Sequence, residues 1–319
     1  MVKFVSEDET QRLISHEAAF EPVRQALVAA ASGDARVFPA VIARASEPQN
    51  TFSLKSGSTA DLAGLKVGSF WPGNPAKGLP RHNSTIFLID QDNGRIGAVI
   101  EASAVNAYRT AAADAVAAKA LARPDSETLA VFGAGHQALY ECVALARVLP
   151  LKRVLVVARD PAKAQRFAAR LAERAGGPAV RVAEAEDACR AADVVVTATP
   201  SRAPLFDAGW IRPGTHVAGM GSDARGKQEL PPGLFARARL FCDLPSQSVE
   251  IGEFQHVRDE IDRGALTLTA IGDVLEGRAP GRASADDITV FDSSGIALQD
   301  LYIGRFLLAA ASEGRGVAA

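Results

Sequence analysis

The sequence has only three cysteines in 319 residues, Cys142, Cys189 and Cys242. An odd number at wide spacing excludes a disulfide framework and predicts small buried hydrophobes in a reducing compartment. No Cys/His/Asp grouping has metal-site spacing, so no metal is expected. Charge of one sign is also missing. Lys and Arg number 35 against 37 Asp and Glu, a net charge of −2, which leaves no footprint for nucleic acid or an anionic membrane. No apolar run is long enough to span a bilayer. The acidic Glu7, Asp8 and Glu9 do not read as a secretory signal. There is no internal repeat and no low-complexity linker. Together these absences predict a cytoplasmic globular protein, and the length favours two domains.

The most informative segment is Thr128-Leu-Ala-Val-Phe-Gly-Ala-Gly-His-Gln-Ala-Leu139. A short apolar strand enters Gly133-Ala134-Gly135-His136-Gln137-Ala138 and continues into a helical pattern. Gly133 permits the tight turn, Gly135 lets backbone N–H groups approach a pyrophosphate, and Ala138 allows close helix–strand packing. A second strand, Arg153–Ala158, follows after one helix length, which completes a βαβ unit and predicts a dinucleotide site.

Residues 1–120 read as antiparallel or mixed α+β. Ser6-Glu-Asp-Glu9 forms a capping box, a second helix runs from His16 to Ala31, and strand-like runs follow at 37–45, 51–55, 64–71, 85–90 and 97–101. An alanine-rich helix containing Arg109 spans 103–122 and stops before Pro124. Strands and helices then alternate, with strands expected at 128–132, 153–158, 179–183, 193–199, 215–219, 239–243 and 288–292. That alternation predicts a doubly wound parallel sheet over 121–295. A final amphipathic helix, 296–312, would dock on the first domain or a partner, and the tail 314–319 is expected to fray.

The second Rossmann strand ends Val157-Ala158-Arg159-Asp160-Pro161. Arg159 aligns with the position that selects the 2′ group of the adenosine ribose, favouring NADP(H) over NAD(H). A one-residue shift would put Asp160 there and reverse the preference, although Asp160 also suits a helix cap before Pro161. Lys66 and Arg109 are cations in otherwise apolar or small-residue segments, a costly placement unless an anion meets them. An internal salt bridge or a snorkelling side chain would explain each, and so would a carboxylate substrate. Asp223, in the glycine-rich loop Gly219–Glu229, could stabilise a substrate iminium or exchange a proton with an amine, or simply serve as a turn residue. His136 is expected to face solvent or ribose, and His216 to be a satisfied core residue.

With these pieces in place the chain resembles the ornithine cyclodeaminase/μ-crystallin family nearly end to end. The resemblance is carried by Gly64-Leu-Lys-Val, Trp71-Pro-Gly-Asn-Pro, Tyr108-Arg-Thr-Ala-Ala, Gly133-Ala-Gly-His-Gln-Ala, Gly221-Ser-Asp-Ala-Arg-Gly-Lys-Gln-Glu-Leu and Phe291-Asp-Ser-Ser-Gly-Ile-Ala-Leu-Gln-Asp300. It implies a homodimer paired through the first domain, with the last helix returning to that domain. It also implies carboxylate binding by Lys66 and Arg109, and an acid/base or charge-stabilising role for Asp223. Thr110, Thr199 and Met220 join residues 133–138 and Arg159 as expected cofactor contacts. The family arginine on the first sheet matches Arg44, with Lys55 as an alternative. Where many members carry a Thr-Val-like pair, this chain has Arg81-His-Asn-Ser84. That segment is either an exposed turn, or Arg81 and His82 recognise a second anionic group, as in the iminosuccinate reductase branch.

The resemblance thus implies an NAD(P)H-dependent oxidoreductase that reduces a small α-imino acid to an amino acid. The alternatives are ornithine cyclodeaminase, whose distal substrate amine Arg81 and His82 would repel, and a non-catalytic NADPH-binding protein of the crystallin kind.

Overall fold

The computed structural model describes residues 1–314; of the tail expected to fray, only Gly314 lies among the described residues. The chain divides into two units, Met1–Arg109 joined by the segment from Ile296, and Thr110–Gly295. The first unit therefore closes at Arg109 rather than at residue 120, partway along a continuous helix.

In chain order the first unit contains β1 (Lys3–Val5), α1 (Glu7–Leu13), α2 (His16–Ala30), β2 (Arg36–Val37), β3 (Val41–Arg44), β4 (Thr51–Ser58), β5 (Ala63–Phe70), β6 (His82–Ile89) and β7 (Ile96–Glu101). Helix α3 (Val105–Leu121) carries the chain into the second unit. There follow β8 (Thr128–Phe132), α4 (His136–Val148), β9 (Arg153–Val157), α5 (Pro161–Ala175), β10 (Ala179–Val182), α6 (Ala185–Ala191), β11 (Val194–Thr197), β12 (His216–Gly219) and β13 (Ala238–Cys242). After α7 (Pro245–Ile251), α8 (Arg258–Asp262), β14 (Leu268–Ala270), α9 (Ile271–Leu275) and β15 (Ile288–Asp292), helix α10 (Ala297–Ser312) belongs again to the first unit.

The first sheet runs β1-β7-β6-β5-β4-β2, with β3 also paired to β4. All its pairings are antiparallel except β1–β7. Ser6 opens α1 as expected: its hydroxyl accepts from Glu9 N, and Glu9 accepts from Ser6 N at 2.9 Å. Strand β1 was not expected, because three residues carry too little periodicity to read. Helix α10 packs on β4–β7. Gly64 makes that approach possible, since a Cβ there would meet the Phe87 carbonyl and lie 3.0 Å from Leu301. The expectation of an amphipathic last helix is corrected. Residues 297–304 are all buried, so α10 is a core helix without a polar face over its first two turns.

The second sheet is parallel throughout, in the order β10-β9-β8-β11-β12-β15-β13-β14. All five residues of β8 and all four of β11 are buried, as strands covered on both faces require. The order reverses between β8 and β11, the switch point at which a Rossmann fold presents its ligand edge. Strand β14, three residues long, was the one strand missed here. Among the described residues no helix is long and apolar enough to cross a membrane.

Candidate active site

Lys66 is near the middle of β5, directly opposite Lys55 on β4 and Ile86 on β6. Residues opposed across an antiparallel pair share a face, and this face receives α10. Lys66 is 5% exposed. Its Nζ lies 2.8 Å from the Asp300 carboxylate and donates to Asn106 Oδ1 at 3.3 Å. Arg109 converges on the same group, with Nε 3.4 Å from Asp300. Its Nη2 donates to Asn106 Oδ1 at 2.9 Å and its Nη1 to Gln299 Oε1 at 3.3 Å. Both cations of the sequence reading are therefore brought together around an internal carboxylate.

Burial lowers the Lys66 pKa to about 7; Arg109 and Lys55 push it the same way, while Asp300 opposes them. Burial alone would raise Asp300, but Lys66 and Arg109 outweigh it and hold the carboxyl below its usual range. Asp300 also occupies the first turn of α10, where the helix dipole favours negative charge. Arg44 pairs with Thr51, and Thr51, Ser53 and Lys55 alternate along β4, so the register puts Arg44, Lys55 and Lys66 on one face. Arg44 is exposed. His82, the first residue of β6, lies opposite Phe70 on that face, its ring 4.8 Å from the Phe70 ring. Arg81 precedes the strand and is exposed.

In the second unit Gly133 has φ 121°, and a Cβ there would lie 2.7 Å from the Ala198 carbonyl oxygen. Only glycine fits both constraints. Gly135 is the N-cap of α4, no side chain caps that helix, and nothing lies within 4 Å of the place a Cβ would take. Ala138 is fully buried. An open, uncapped helix N-terminus beside the β8–β11 switch fits a pyrophosphate. Ala134 belongs to the same turn. The Gln137 amide donates to the buried Glu141 at 2.7 Å, and the exposed His136 ring stacks 4.7 Å from Tyr140. Arg159 is exposed beyond the end of β9, whereas Asp160 caps α5 by accepting from Ala162 N and Lys163 N at 2.9 and 3.1 Å. Thr110 is buried on α3 beside Arg109.

Sequence reasoning missed the group that fixes the loops after β11 and β12. The buried Glu229 carboxylate accepts from Thr199 N at 2.6 Å, Thr199 Oγ1 at 2.7 Å, Thr197 Oγ1 at 2.8 Å and Gly221 N at 2.8 Å. Thr199 and the buried Met220 are held in place by that clamp. Asp223 is exposed and ion-paired with Lys227 at 2.5 Å, while Lys227 Nζ also donates to the Gly221 carbonyl at 3.2 Å. His216 is a core residue: its Nδ1 is 2.9 Å from Thr289 Oγ1, and burial lowers its pKa to about 3. All three cysteines are buried and free. Among the described residues no His, Cys, Asp and Glu cluster could hold a metal. Asp300, Gln299 and Asn106 were also missed as site residues. The visible signal was a polar Gln-Asp pair in the otherwise apolar opening turns of the last helix.

The chain is similar to known proteins along nearly its whole length. Residues 1–315 match the profile described as the ornithine cyclodeaminase/mu-crystallin family. Iminosuccinate reductase of Paracoccus denitrificans is 37% identical over 98% of both chains. Its crystal structure in complex with NAD+ superposes with a TM-score of 0.88, covering 98% of this chain and 97% of that one. An archaeal alanine dehydrogenase dimer with bound NAD gives TM-score 0.88 at 32% identity, covering 99% and 98%. Thermococcus litoralis Delta(1)-pyrroline-2-carboxylate reductase, solved with NADH and L-proline, gives 0.88 at 27% identity over all of both chains. With this match spanning both units and the motifs that build each, the chain belongs to the ornithine cyclodeaminase/mu-crystallin family.

Proposed function

We propose that the protein is an NAD(P)H-dependent reductase of a small α-imino acid, a ketimine such as iminosuccinate or pyrroline-2-carboxylate, yielding an L-amino acid. The observation that carries this reading is the buried Lys66–Arg109–Asp300 cluster in a chain that also holds a dinucleotide turn. Its relatives include iminosuccinate, pyrroline-2-carboxylate and alanine oxidoreductases, whose shared step is hydride transfer at the Cα of an imino acid.

When bound, the reduced nicotinamide supplies the hydride. The protein's own residues bind and orient the acceptor. Arg109 offers a planar fork to the α-carboxylate, Lys66 a point charge, and Arg44 a third cation on the same face. Fixing the carboxylate at two or more points fixes Cα, and such orientation supplies much of the rate in a hydride transfer. With a pKa near 7, Lys66 changes charge in the physiological range and can pass a proton as well as bind. Asp223 stabilises the iminium nitrogen and moves its proton, its carboxylate being ion-paired with Lys227 before substrate arrives. Gly133 to Ala138 receive the pyrophosphate, and Thr110, Thr199 and Met220 line the rest of the nucleotide site.

Within the pyridine nucleotides we favour NADP(H). Asp160 is committed to capping α5, which leaves Arg159 as the charged side chain at the strand end to meet a 2′-phosphate. We also propose a homodimer built on the first unit. Phe38, Val41 and Ile42 are 50%, 56% and 59% exposed around β3, an apolar edge that a second copy would cover.

The test is oxidation of NADPH and NADH with pyruvate plus ammonium, oxaloacetate plus ammonium and pyrroline-2-carboxylate, together with an assay for ammonia and proline from ornithine supplied with oxidised nucleotide. Amino-acid formation from an imine supports the reading. Ammonia and proline from ornithine would make the protein a cyclodeaminase. A silent panel with tight nucleotide binding would leave only a binding protein.

A further inference from the structure

Beyond the Lys66 row, the same sheet face holds a polar strip that the α-carboxylate site does not use. Ser53 on β4, Gly68 on β5 and Ser84 on β6 are directly opposed, one row on from Lys55, Lys66 and Ile86. A Cβ at Gly68 would meet only Ser53 Oγ at 3.3 Å and the Lys66 side chain at 4.0 Å. The strip is therefore low, with room above its central residue. The next row is Thr51, Phe70 and His82, which puts the imidazole at its outer end.

Two independent observations point to an anionic occupant. Ser84 is 8% exposed, and its buried hydroxyl has no hydrogen-bond partner. A hydroxyl in that state is costly unless a ligand completes it. The second observation is charge. Lys66, Arg109 and Lys55 all act on the single carboxylate of Asp300, so with Lys66 protonated, as carboxylate binding requires, these four groups carry more positive charge than one substrate carboxylate offsets. An exposed surface would screen such an excess, but a buried one favours a second anion.

We propose that Lys55, Ser53 and Ser84 form a second carboxylate site, with His82 at its rim, so that the protein selects dicarboxylic α-imino acids over monocarboxylic ones. Lys66 and Arg109 hold the α-carboxylate, and the distal carboxylate accepts hydrogen bonds from the two hydroxyls and the Lys55 ammonium. The inference rests on the imine-reductase reading above and names its substrate class.

The experiment compares kcat/KM for oxaloacetate plus ammonium with that for pyruvate plus ammonium, at saturating reduced nucleotide, in wild type, Lys55→Met, Ser84→Ala and Ser53→Ala. Succinate and propionate are titrated in parallel as inhibitors. Wild type should prefer the dicarboxylic substrate and bind succinate the more tightly. The dicarboxylic-to-monocarboxylic ratio should fall about 10- to 100-fold in Lys55→Met and about threefold or more in each serine variant, through KM, on the scale of charged and neutral hydrogen bonds. Thermal melts establish that each variant folds, and the serine variants keep the test open should Lys55→Met fail to fold. A wild type that prefers pyruvate, or variants that lower both substrates equally, would overturn the second site while leaving imine reduction standing. Loss of turnover on every imine in wild type would instead remove the reading on which it rests.

Discussion

The Lys66 ammonium lies 2.8 Å from the carboxylate of Asp300, two groups 234 positions apart in sequence, both nearly excluded from solvent. Asp300 keeps two buried cations tolerable in the unliganded protein. Removing the carboxylate while keeping its shape should therefore be costly. Asp300→Asn is expected to lower the unfolding free energy by about 3–5 kcal/mol, as loss of one partner from a buried pair does. Denaturant titration reads that loss.

The lysine also sets a pH dependence. Its pKa in the free protein is about 7, lowered chiefly by burial, so Lys66 is a cation below that pH and neutral above it. If its charge holds the α-carboxylate, kcat/KM for imine reduction should decline tenfold per pH unit on the alkaline side of about 7. Lys66→Arg, always charged, should push that decline beyond the measurable range. A limb that persists unchanged in Lys66→Arg would assign it to another group.

Two glycines of the nucleotide turn should respond differently to the same change. Gly133→Ala forces a Cβ to 2.7 Å from the Ala198 carbonyl at φ 121°, so it should lower thermal stability and nucleotide affinity together. Gly135→Ala adds a methyl where no protein atom lies within 4 Å. It should leave the melting temperature within about 1–2 °C of wild type, as expected for less than 0.5 kcal/mol, while weakening nucleotide binding at least tenfold. Melting curves and fluorescence titration separate the two.

Arg159→Ala should reduce the ratio of NADPH to NADH kcat/KM about tenfold or more, the worth of one charge-assisted contact. Steady-state rates with each nucleotide measure it; an unchanged ratio would move the 2′-phosphate contact elsewhere.

Asp223→Asn should reduce kcat at least about 100-fold, the usual scale for a positioned acid or base, with nucleotide affinity nearly intact. Full activity in this variant would remove Asp223 from the mechanism and leave its pair with Lys227 as a loop fastening.

Much of this molecule was legible in its sequence because its strongest signals are local. Gly133, Gly135 and Ala138 encode a turn within six residues, and the buried strands of the second sheet read as short apolar runs. Lys66 and Arg109 stood out because a charge among small or apolar residues demands a partner. The partner did not stand out. Asp300 lies beyond the whole second unit in sequence, and only the return of α10 to the first sheet brings it to Lys66. Glu229 was hidden for the same reason, as its four hydrogen bonds come from the end of β11, the loop after it and the loop after β12. The three-residue strands β1 and β14 escaped because so short a run has no period to count. The boundary at Arg109 escaped because α3 continues through it without a break in composition.

The central claim is that hydride reaches the Cα of an imino acid. Reduced nucleotide carrying deuterium at C4, supplied as each of its two stereoisomers, tests it by mass spectrometry of the products formed from a 2-oxo acid and ammonium. The account predicts an amino acid with one deuterium at Cα from one of the two isomers. An unlabelled amino acid from both, or a labelled 2-hydroxy acid in its place, would contradict it.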